Sequence, residues 1–140
     1  LVSRKRYCWF DSSSIRFMNK VVVGKNKLFG RGIFAKQNIK RKSIIEISHV
    51  IVFDKADSKK ILNTKLASYI YDWNKENRFA LALGFGSLFN HSYSANARYE
   101  MDYDKKLIRF IAHKDIRKGE EIFINYNAEP DSKEKVWFDK

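Results

Sequence analysis

A chain of 140 residues, of which 44% are hydrophobic and 15% aromatic, is long enough for one domain and too apolar for a disordered segment. Its single cysteine, Cys8, excludes an internal disulfide framework and a multi-cysteine zinc site, and it favours a reducing, intracellular compartment. The sequence has no apolar run long enough to span a bilayer, so we expect no membrane association.

The net charge of +12 is concentrated near the amino terminus. Residues 1–42 carry twelve basic side chains and one acidic side chain, a net charge of +11, which leaves +1 for the remainder of the chain. Such a basic third favours a polyanionic or acidic partner, including nucleic acid. The alternative is a solvated surface without a specific partner.

Taken in order, the chain begins with residues 1–20, which we interpret as a basic extension. Two short β-branched or aromatic runs, at 21–23 and 33–35, predict strands separated by a turn-rich segment. The nearly continuous apolar run at 44–53 predicts a strand that is buried on both faces. Residues 54–73 change character, and apolar residues near helical spacing predict a short helix or an irregular insert.

The second half of the chain reads as further short strands. They are predicted at 78–83, at 96–101 and 107–112 as a hairpin, and at 121–126 after a turn that contains Gly119. A terminal helical turn is expected at 131–135, with Trp137 and Phe138 as anchors. Many short strands with one modest helix indicate a mostly-β domain.

An apolar run with two glycines ends abruptly in a polar cluster that contains Asn90, His91, Ser92 and Asn96. Buried polar groups need hydrogen-bond partners, so the cluster is either a satisfied turn or the wall of a site. Ser92 is adjacent to His91 in sequence, which is a poor geometry for a nucleophile and its base. A lone histidine also makes no metal site, so we exclude hydrolase and metalloenzyme functions and expect no metal ligand.

The pair Gly30 and Gly32 lacks the third glycine and the long following helix of a dinucleotide-binding turn. Read alone, it indicates either a tight turn or a place where the backbone approaches a ligand closely. Tyr126, at the end of the last predicted strand, would by itself be a packing residue.

Three segments in this order, however, resemble the SET-domain protein-lysine methyltransferases. The resemblance is carried by Gly30-Arg31-Gly32-Ile33-Phe34-Ala35, by Phe89-Asn90-His91-Ser92-x-x-Ala95-Asn96 and by Gly119-Glu120-Glu121-Ile122-x-x-Asn125-Tyr126. It covers residues 21–127 and implies a mostly-β fold (the β-clip or SET fold) of several small curled sheets with short helices and a C-terminal pseudoknot. Residues 128–140 would be a post-core segment that closes the cofactor site.

Carried over residue by residue, the resemblance implies that S-adenosylmethionine is the cofactor and that Tyr126 is the catalytic tyrosine, which also contacts the cofactor. Gly30, Arg31 and Gly32 would meet the methionine part of the cofactor. Asn90 would hydrogen-bond that part, and the backbone of His91 would read the adenine edge. Trp137 occupies the place of the aromatic residue that stacks on adenine, with Phe138 as the competing choice.

The resemblance also implies an aromatic channel for the substrate lysine, with Tyr99, Tyr71 and Phe123 as candidate walls. Ile124 stands where many members carry the aromatic residue that sets the degree of methylation. Ala95 and Asn125 replace a proline and an aspartate of the family pattern, and Tyr93 replaces a frequent cysteine. The absence of later cysteines resembles minimal bacterial and viral members, which lack zinc-bound flanking modules.

We therefore predict an S-adenosylmethionine-dependent methyltransferase that acts on the ε-amine of lysine in a protein substrate, histone or other. The alternative is a catalytically silent SET fold that binds a protein or nucleic acid through its basic third. A homodimer that completes the substrate groove is a further hypothesis. The compartment would be cytoplasmic, or nuclear if the substrate is a histone.

Overall fold

A computed structural model describes residues 20–74, 76–136 and 138. The predicted basic extension lies outside the described residues except for Lys20, and so do Cys8 and Trp137. Within the described residues the secondary structure consists of short strands, one α-helix and two 3₁₀ helices at Lys65–Ser68 and Gly86–Leu88. These strands and the helix are β1 (Val21–Gly24), β2 (Gly32–Ala35), β3 (Ile44–Val52), α1 (Lys55–Ile61), β4 (Ile70–Trp73), β5 (Arg78–Ala82), β6 (Asn90–His91), β7 (Ala97–Asp102), β8 (Leu107–Ala112) and β9 (Glu121–Ile124).

A four-stranded sheet has the order β1-β2-β9-β6. Strand β9 pairs antiparallel with β2, through Ile33 and Ile122, and parallel with β6, through Asn90 and Phe123. Strand β9 therefore lies between an early strand and the polar segment that begins at Asn90. This pairing is the one that the predicted C-terminal pseudoknot requires.

A five-stranded sheet has the order β4-β5-β3-β8-β7, with every pairing antiparallel. Strand β3 is the longest and lies at its centre. The prediction that this run is buried on both faces is wrong for its second half, where His49 and Ile51 are exposed. Alternate side chains point to opposite faces of a strand, and one face is open to solvent at this end.

The core lies between the two sheets and is built mainly from isoleucine, alanine and phenylalanine side chains. Phe89 and Phe110 stack at its centre with ring centroids 4.5 Å apart, and both are almost fully buried. Phe89 directly precedes the polar cluster in sequence. The burial of Phe89 in the core therefore fixes the start of the candidate site.

Residues 54–73 form three elements where the sequence predicted a helix or an irregular insert. Asp54 caps α1 by accepting a hydrogen bond from the Asp57 backbone N–H, and the helix ends at Ile61. A 3₁₀ helix follows, and then Ile70 begins β4, which pairs with β5. The strand went unrecognised because its pairing partner, and not its local pattern, defines it.

Two C-terminal predictions also need correction. Strand β9 ends at Ile124, two residues before the predicted end, because Asn125 turns the chain by hydrogen bonds to Pro130 and Ser132 carbonyl oxygens. Residues 131–135 do not form the expected helical turn. The prediction of a mostly-β domain with several small sheets and short helices is confirmed. Among the described residues, no helix is long and apolar enough to cross a membrane.

Candidate active site

Two adjoining cavities share one wall. The larger has a volume of about 820 Å³ and the smaller about 380 Å³, both within the range of small-molecule and peptide-side-chain sites. Five residues line both cavities: Ser68, Tyr69, Ser87, Phe89 and Tyr126. A molecule in one cavity and a molecule in the other would therefore meet across Tyr126 and its neighbours.

The side chain of Tyr126 is held at this shared wall by a main-chain carbonyl group. Its hydroxyl donates a hydrogen bond of 2.9 Å to the carbonyl oxygen of Phe89. The backbone N–H of Tyr126 donates to Nδ1 of His91 over 3.1 Å, so this nitrogen carries no proton. Because the phenol has only one hydrogen, its oxygen can act only as an acceptor toward the cavities.

Two further tyrosines of the larger cavity follow the same rule. Tyr71 donates its hydroxyl hydrogen to the carbonyl oxygen of Gly86 over 2.6 Å, and Tyr99 donates to the carbonyl oxygen of Tyr126 over 3.3 Å. The rings of Tyr71 and Tyr99 meet edge to face at 5.2 Å. Two of the predicted channel residues, Tyr71 and Tyr99, thus line the cavity that adjoins Tyr126.

Burial keeps these three phenols protonated. It raises the pKa of Tyr126 above its ordinary value, with the nearby Tyr69 as a second cause. Burial, with smaller contributions from Tyr103, Asp72 and Tyr126, raises the pKa of Tyr99 to about 12. The pKa of Tyr71 is raised well above its ordinary value, again chiefly by burial. The hydroxyl oxygens of these three tyrosines are therefore neutral acceptors at neutral pH.

The predicted glycine pair and Asn90 lie beside the smaller cavity, at the junction of β2, β6 and β9. The Asn90 amide nitrogen donates to the Arg31 carbonyl oxygen and to Oε1 of Glu121, each over 2.8 Å. A Cβ at Gly32 would overlap that Glu121 oxygen and lie 2.8 Å from the Asn90 amide nitrogen. Gly30 has open space around it, so glycine is favoured at this position only by its φ of +81°, which other residues rarely adopt.

Aromatic and cationic groups line the rest of the smaller cavity. Phe138 lies edge-on to His91, with ring centroids 5.8 Å apart, and 6.1 Å from the ring of Tyr126. Arg31 also lines this cavity, with its guanidinium carbon 5.8 Å from the centre of the Tyr69 ring. Of the two aromatic candidates near the carboxyl terminus, Phe138 is at the cavity and Trp137 lies outside the described residues.

Asn96 joins the polar cluster to the last strand. Its side-chain amide nitrogen donates to the Glu121 carbonyl oxygen over 2.9 Å, and its Oδ1 accepts from the Phe123 backbone N–H over 2.9 Å. Ser92 adds a backbone hydrogen bond to the Ile124 carbonyl oxygen. These contacts fix β9, and Tyr126 follows β9 by two residues.

Phe123 and Ile124, which were expected to wall the substrate channel, are placed elsewhere. Ile124 is fully buried in the core, and Phe123 is half-buried; neither lines either cavity. Successive side chains of β9 point to opposite faces of its sheet, and Ile124 lies on the face that packs into the core, away from the shared wall.

Sequence reasoning missed several lining residues. Tyr69, Ser87 and Phe89 line both cavities, and Phe79, Met101 and Tyr103 line the larger one. Phe89 was part of a quoted motif, and the Tyr69-x-Tyr71 alternation was a signal for two tyrosines on one face of an extended segment. Ser87 carried no local signal; it bridges the carbonyl oxygens of Tyr69 and Ala82.

The turn that contains Gly86 is hydrogen-bonded to the buried carboxyl group of Glu46. Oε1 of Glu46 accepts hydrogen bonds from the Phe85 backbone N–H over 3.4 Å and from the Ser48 hydroxyl over 3.5 Å. Burial raises the pKa of Glu46, and these two hydrogen bonds act in the opposite direction. Among residues 20–74, 76–136 and 138, no three histidine, cysteine or acidic side chains gather as metal ligands would.

This geometry can be compared with known proteins. The family model of the SET domain matches residues 30–127, which is more than half of the chain. The chain belongs to the SET-domain family. A histone-lysine N-methyltransferase of Schizosaccharomyces pombe, specific for H3 lysine-37, is 34% identical over 111 residues, which are 79% of this chain and 71% of that protein.

Solved structures agree on the fold. A proposed histone methyltransferase of Plasmodium falciparum superposes with a TM-score of 0.66 at 29% identity, and the match covers 86% of this chain and 98% of that one. The Polycomb Repressive Complex 2 of Chaetomium thermophilum, bound to S-adenosylmethionine, matches with a TM-score of 0.66 at 23% identity. That match covers 77% of this chain and 15% of the other, and it shows the shared fold alone.

The predicted activity is thereby confirmed at the level of the family: this SET domain is an S-adenosylmethionine-dependent protein-lysine methyltransferase. The enzymatic interpretation is favoured over the silent binding module.

Proposed function

We propose that the chain methylates a histone lysine, with S-adenosylmethionine in the smaller cavity and the substrate lysine in the larger one. The observation that carries this proposal is the position of Tyr126 in the wall that both cavities share. A methyl donor and an amine acceptor must meet in line while most of each molecule stays in its own site. Two adjoining cavities with one tyrosine between them supply that arrangement.

The residues of the smaller cavity fit the cofactor. Phe138 offers an aromatic face for adenine, and Arg31 offers a cation for the methionine carboxylate. Asn90 and the backbone of His91 supply hydrogen-bonding groups on the edge of the cavity. Gly30 and Gly32 lie just before and at the start of β2. They would affect cofactor binding indirectly, because they allow the observed positions of Arg31 and Asn90.

Bound S-adenosylmethionine would supply a methyl group on a cationic sulfonium. The chain's own residues prepare the amine. Lysine has a reference pKa of ~10.4, and it must lose its proton before its lone pair can react. The aromatic, half-buried wall of Tyr71 and Tyr99 disfavours the charged ammonium form. The amine would release this proton to bulk water before it enters the cavity, so no side-chain base is needed at this wall.

Tyr126 would orient the neutral amine. Its only hydroxyl hydrogen is donated to the Phe89 carbonyl oxygen, so its oxygen lone pairs remain for an amine N–H of the substrate. That contact would point the nitrogen lone pair toward the methyl group. We assign Tyr126 this positioning contact with the reacting amine, which makes it the catalytic residue of the site.

The histone substrate rests on the relatives, one of which is named a histone-lysine N-methyltransferase and the other a proposed histone methyltransferase. The larger cavity is compatible with a basic segment, because its only charged lining residues among those described are Asp72 and Glu134. We further propose that residues 128–140 close the cofactor site, which Phe138 supports. A homodimer that extends the substrate groove is the remaining hypothesis on assembly.

Calorimetric titration of S-adenosylmethionine tests the cofactor site. We expect S-adenosylmethionine to bind the wild type. Its affinity for Asn90→Ala should be lower by roughly tenfold or more, because the Arg31 carbonyl oxygen and Glu121 would lose a hydrogen-bond donor. Equal affinity of a folded Asn90→Ala protein would remove Asn90 from the site. Asn38→Ala, which lies away from both cavities, serves as the matched control.

Transfer of a labelled methyl group to recombinant histones tests the substrate. Histone H3 and a variant with lysine 37 replaced by arginine are compared, since one relative is specific for that lysine. Loss of label with the variant would assign the site, and equal label would direct the search to another lysine. Cofactor binding without methylation of any core histone would overturn the histone assignment and leave the methyltransferase assignment intact.

A further inference from the structure

The fold assembles a basic surface from two loops that are far apart in sequence. Ile39 and Ile116 exchange backbone hydrogen bonds of 2.8 and 2.9 Å, which bring residues 36–42 beside residues 113–120. Further contacts join the same loops: the Lys118 N–H donates to Oδ1 of Asn38, and Nε of Arg41 donates to the His113 carbonyl oxygen. The two loops therefore form one rigid unit.

This unit, which we name the basic loop face, is strongly positive. It carries seven basic side chains and two acidic ones, a net charge of +5 within fifteen residues. All seven basic residues are exposed, and none lines either cavity. They are Lys36, Lys40, Arg41, Lys42, Lys114, Arg117 and Lys118.

The two carboxylates of the face are already engaged with it. Asp115 accepts a hydrogen bond from the Arg41 backbone N–H over 2.8 Å and pairs with Lys40 at 3.4 Å. Glu120 accepts from the Arg117 backbone N–H over 3.0 Å. The Lys40 pair is solvent-exposed on both sides, with 82% and 63% of the side chains accessible, so it restrains Lys40 only weakly.

The remaining lysines of the face have no side-chain partner among the described residues: Lys36, Lys42, Lys114 and Lys118. A charge count along the sequence does not reveal this face, because it gives residues 43–140 a net charge of only +1. Half of the unpartnered lysines come from that nearly neutral part. The fold, and not the N-terminal third alone, concentrates the charge.

The basic character also continues beyond the face in sequence. The Lys36 backbone N–H donates to the Lys20 carbonyl oxygen over 2.8 Å, so the chain joins the domain next to this surface. Residues 1–19 add four basic side chains and one acidic side chain by sequence. The larger cavity has the opposite sign, so the face is electrostatically separate from the proposed substrate groove.

We propose that the basic loop face binds the phosphate backbone of duplex nucleic acid. Exposed lysines held on a rigid pair of loops match the requirements of backbone contacts, which need cations and carry no sequence code. Release of condensed counterions by each phosphate contact supplies the free energy. The face lies outside both cavities, so this binding is independent of the proposed methyl transfer.

The test uses the full chain and a fluorescein-labelled duplex DNA of random sequence, followed by fluorescence polarisation across a series of salt concentrations. A variant with Lys36, Lys42, Lys114 and Lys118 replaced by glutamine is compared with a control that replaces Lys55, Lys59, Lys60 and Lys65. Both variants lose four positive charges, and the control lysines are exposed residues of α1 and the following 3₁₀ helix. Thermal unfolding and S-adenosylmethionine binding confirm that each variant is folded.

We expect the face variant to lose about tenfold or more in affinity and the slope of log affinity against log salt to fall by about 0.9 for each lost contact. The control should stay within about threefold, which is the effect of net charge at a distance. Equal losses in the two variants would overturn the proposal, because net charge alone would explain binding. Binding to phosphatidylserine vesicles but not to duplex DNA would also overturn it. Neither outcome depends on methyl transfer.

Discussion

The hydroxyl of Tyr126 donates its hydrogen to the main-chain carbonyl oxygen of Phe89 over 2.9 Å. Tyr71 and Tyr99 also donate to main-chain carbonyl oxygens, those of Gly86 and Tyr126. Three phenols at one wall are thus fixed as donors to the backbone and as acceptors toward the cavity. Their orientation is set by the chain itself, before any ligand is bound.

Replacement of Tyr126 by phenylalanine should lower methyl transfer by about 100-fold or more, since loss of orientation at a reacting centre has effects of that order. S-adenosylmethionine binding should persist, because the ring stays in place and the backbone N–H still donates to His91. Initial rates with saturating cofactor and calorimetry measure the two effects. Tyr103→Phe removes another hydroxyl group from the larger cavity and keeps its ring contact with Trp73, so it shows whether the loss of any phenol of this cavity has the same effect. Full turnover by Tyr126→Phe would remove the role we assign.

The raised pKa values of the tyrosines predict a simple pH profile. Turnover should rise from neutral pH to about pH 10, because lysine deprotonation (reference pKa ~10.4) becomes less costly while the phenols stay protonated. A decline between pH 8 and pH 10 in a folded enzyme would show that a phenol of the wall ionises earlier. Initial rates with circular dichroism as the folding control decide the matter.

Tyr99 also predicts how stability changes with pH. Its folded pKa of about 12 lies above the unfolded value of ~10, so its contribution is fully present below pH 10 and is lost as pH rises toward 12. The unfolding free energy of the wild type should therefore fall over this interval more steeply than that of Tyr99→Phe. Urea unfolding at several pH values measures both proteins, and identical slopes would contradict the assignment.

The two glycines should respond differently to alanine. Gly32→Ala places a methyl group against Glu121 and the Asn90 amide, so we expect both lower stability and loss of cofactor binding. Gly30→Ala meets no atom within 4 Å and suffers only from its positive φ, at a cost of about 1 kcal/mol. Thermal unfolding and cofactor titration of the two variants compare them. A larger effect at Gly30 would mean that its backbone contacts the ligand directly.

Asp72 should contribute to recognition of a basic substrate. Asp72→Asn is expected to raise the KM for a histone peptide roughly two- to fivefold without a change in kcat, in line with the value of an exposed ion pair. The effect should disappear at high salt. Asp104→Asn, in the turn between β7 and β8, is the matched control because Asp104 lines neither cavity. Equal increases in KM for the two variants would show that the effect comes from net charge and not from Asp72 itself.

The sequence predicted those parts of the molecule that local pattern or a motif defines. The β-branched run of β1, the β7–β8 hairpin and the turn at Gly119 follow from local chemistry, and the structure has all three. The order of the sheets did not follow from pattern, because the insertion of β9 between β2 and β6 joins segments about ninety and thirty residues apart. That topology entered only through the family resemblance.

The candidate site divides in the same way. Tyr71 and Tyr99 were expected at the channel, and they line the larger cavity because their strands, β4 and β7, lie at opposite edges of one curled sheet. The prediction that Ile124 lines the channel was wrong, because the pairing of β9 with distant strands places the Ile124 side chain in the core. Asp72 had no signal in the sequence. The basic charge of residues 1–42 indicated only one half of the basic loop face, because the fold brings the other half from residues 113–120.

The parallel pairing of β6 with β9 has a consequence for synthesis on the ribosome. Strand β6 and the core residue Phe89 emerge long before β9, yet β6 has no pairing partner in the four-stranded sheet until residues 121–124 arrive. Tyr126 leaves the ribosome after that strand, so the nascent chain carries an incomplete sheet and lacks the proposed catalytic tyrosine until residues 121–126 have emerged. Termination before Tyr126 would therefore yield a product with an unfinished four-stranded sheet and without the tyrosine that we propose orients the amine.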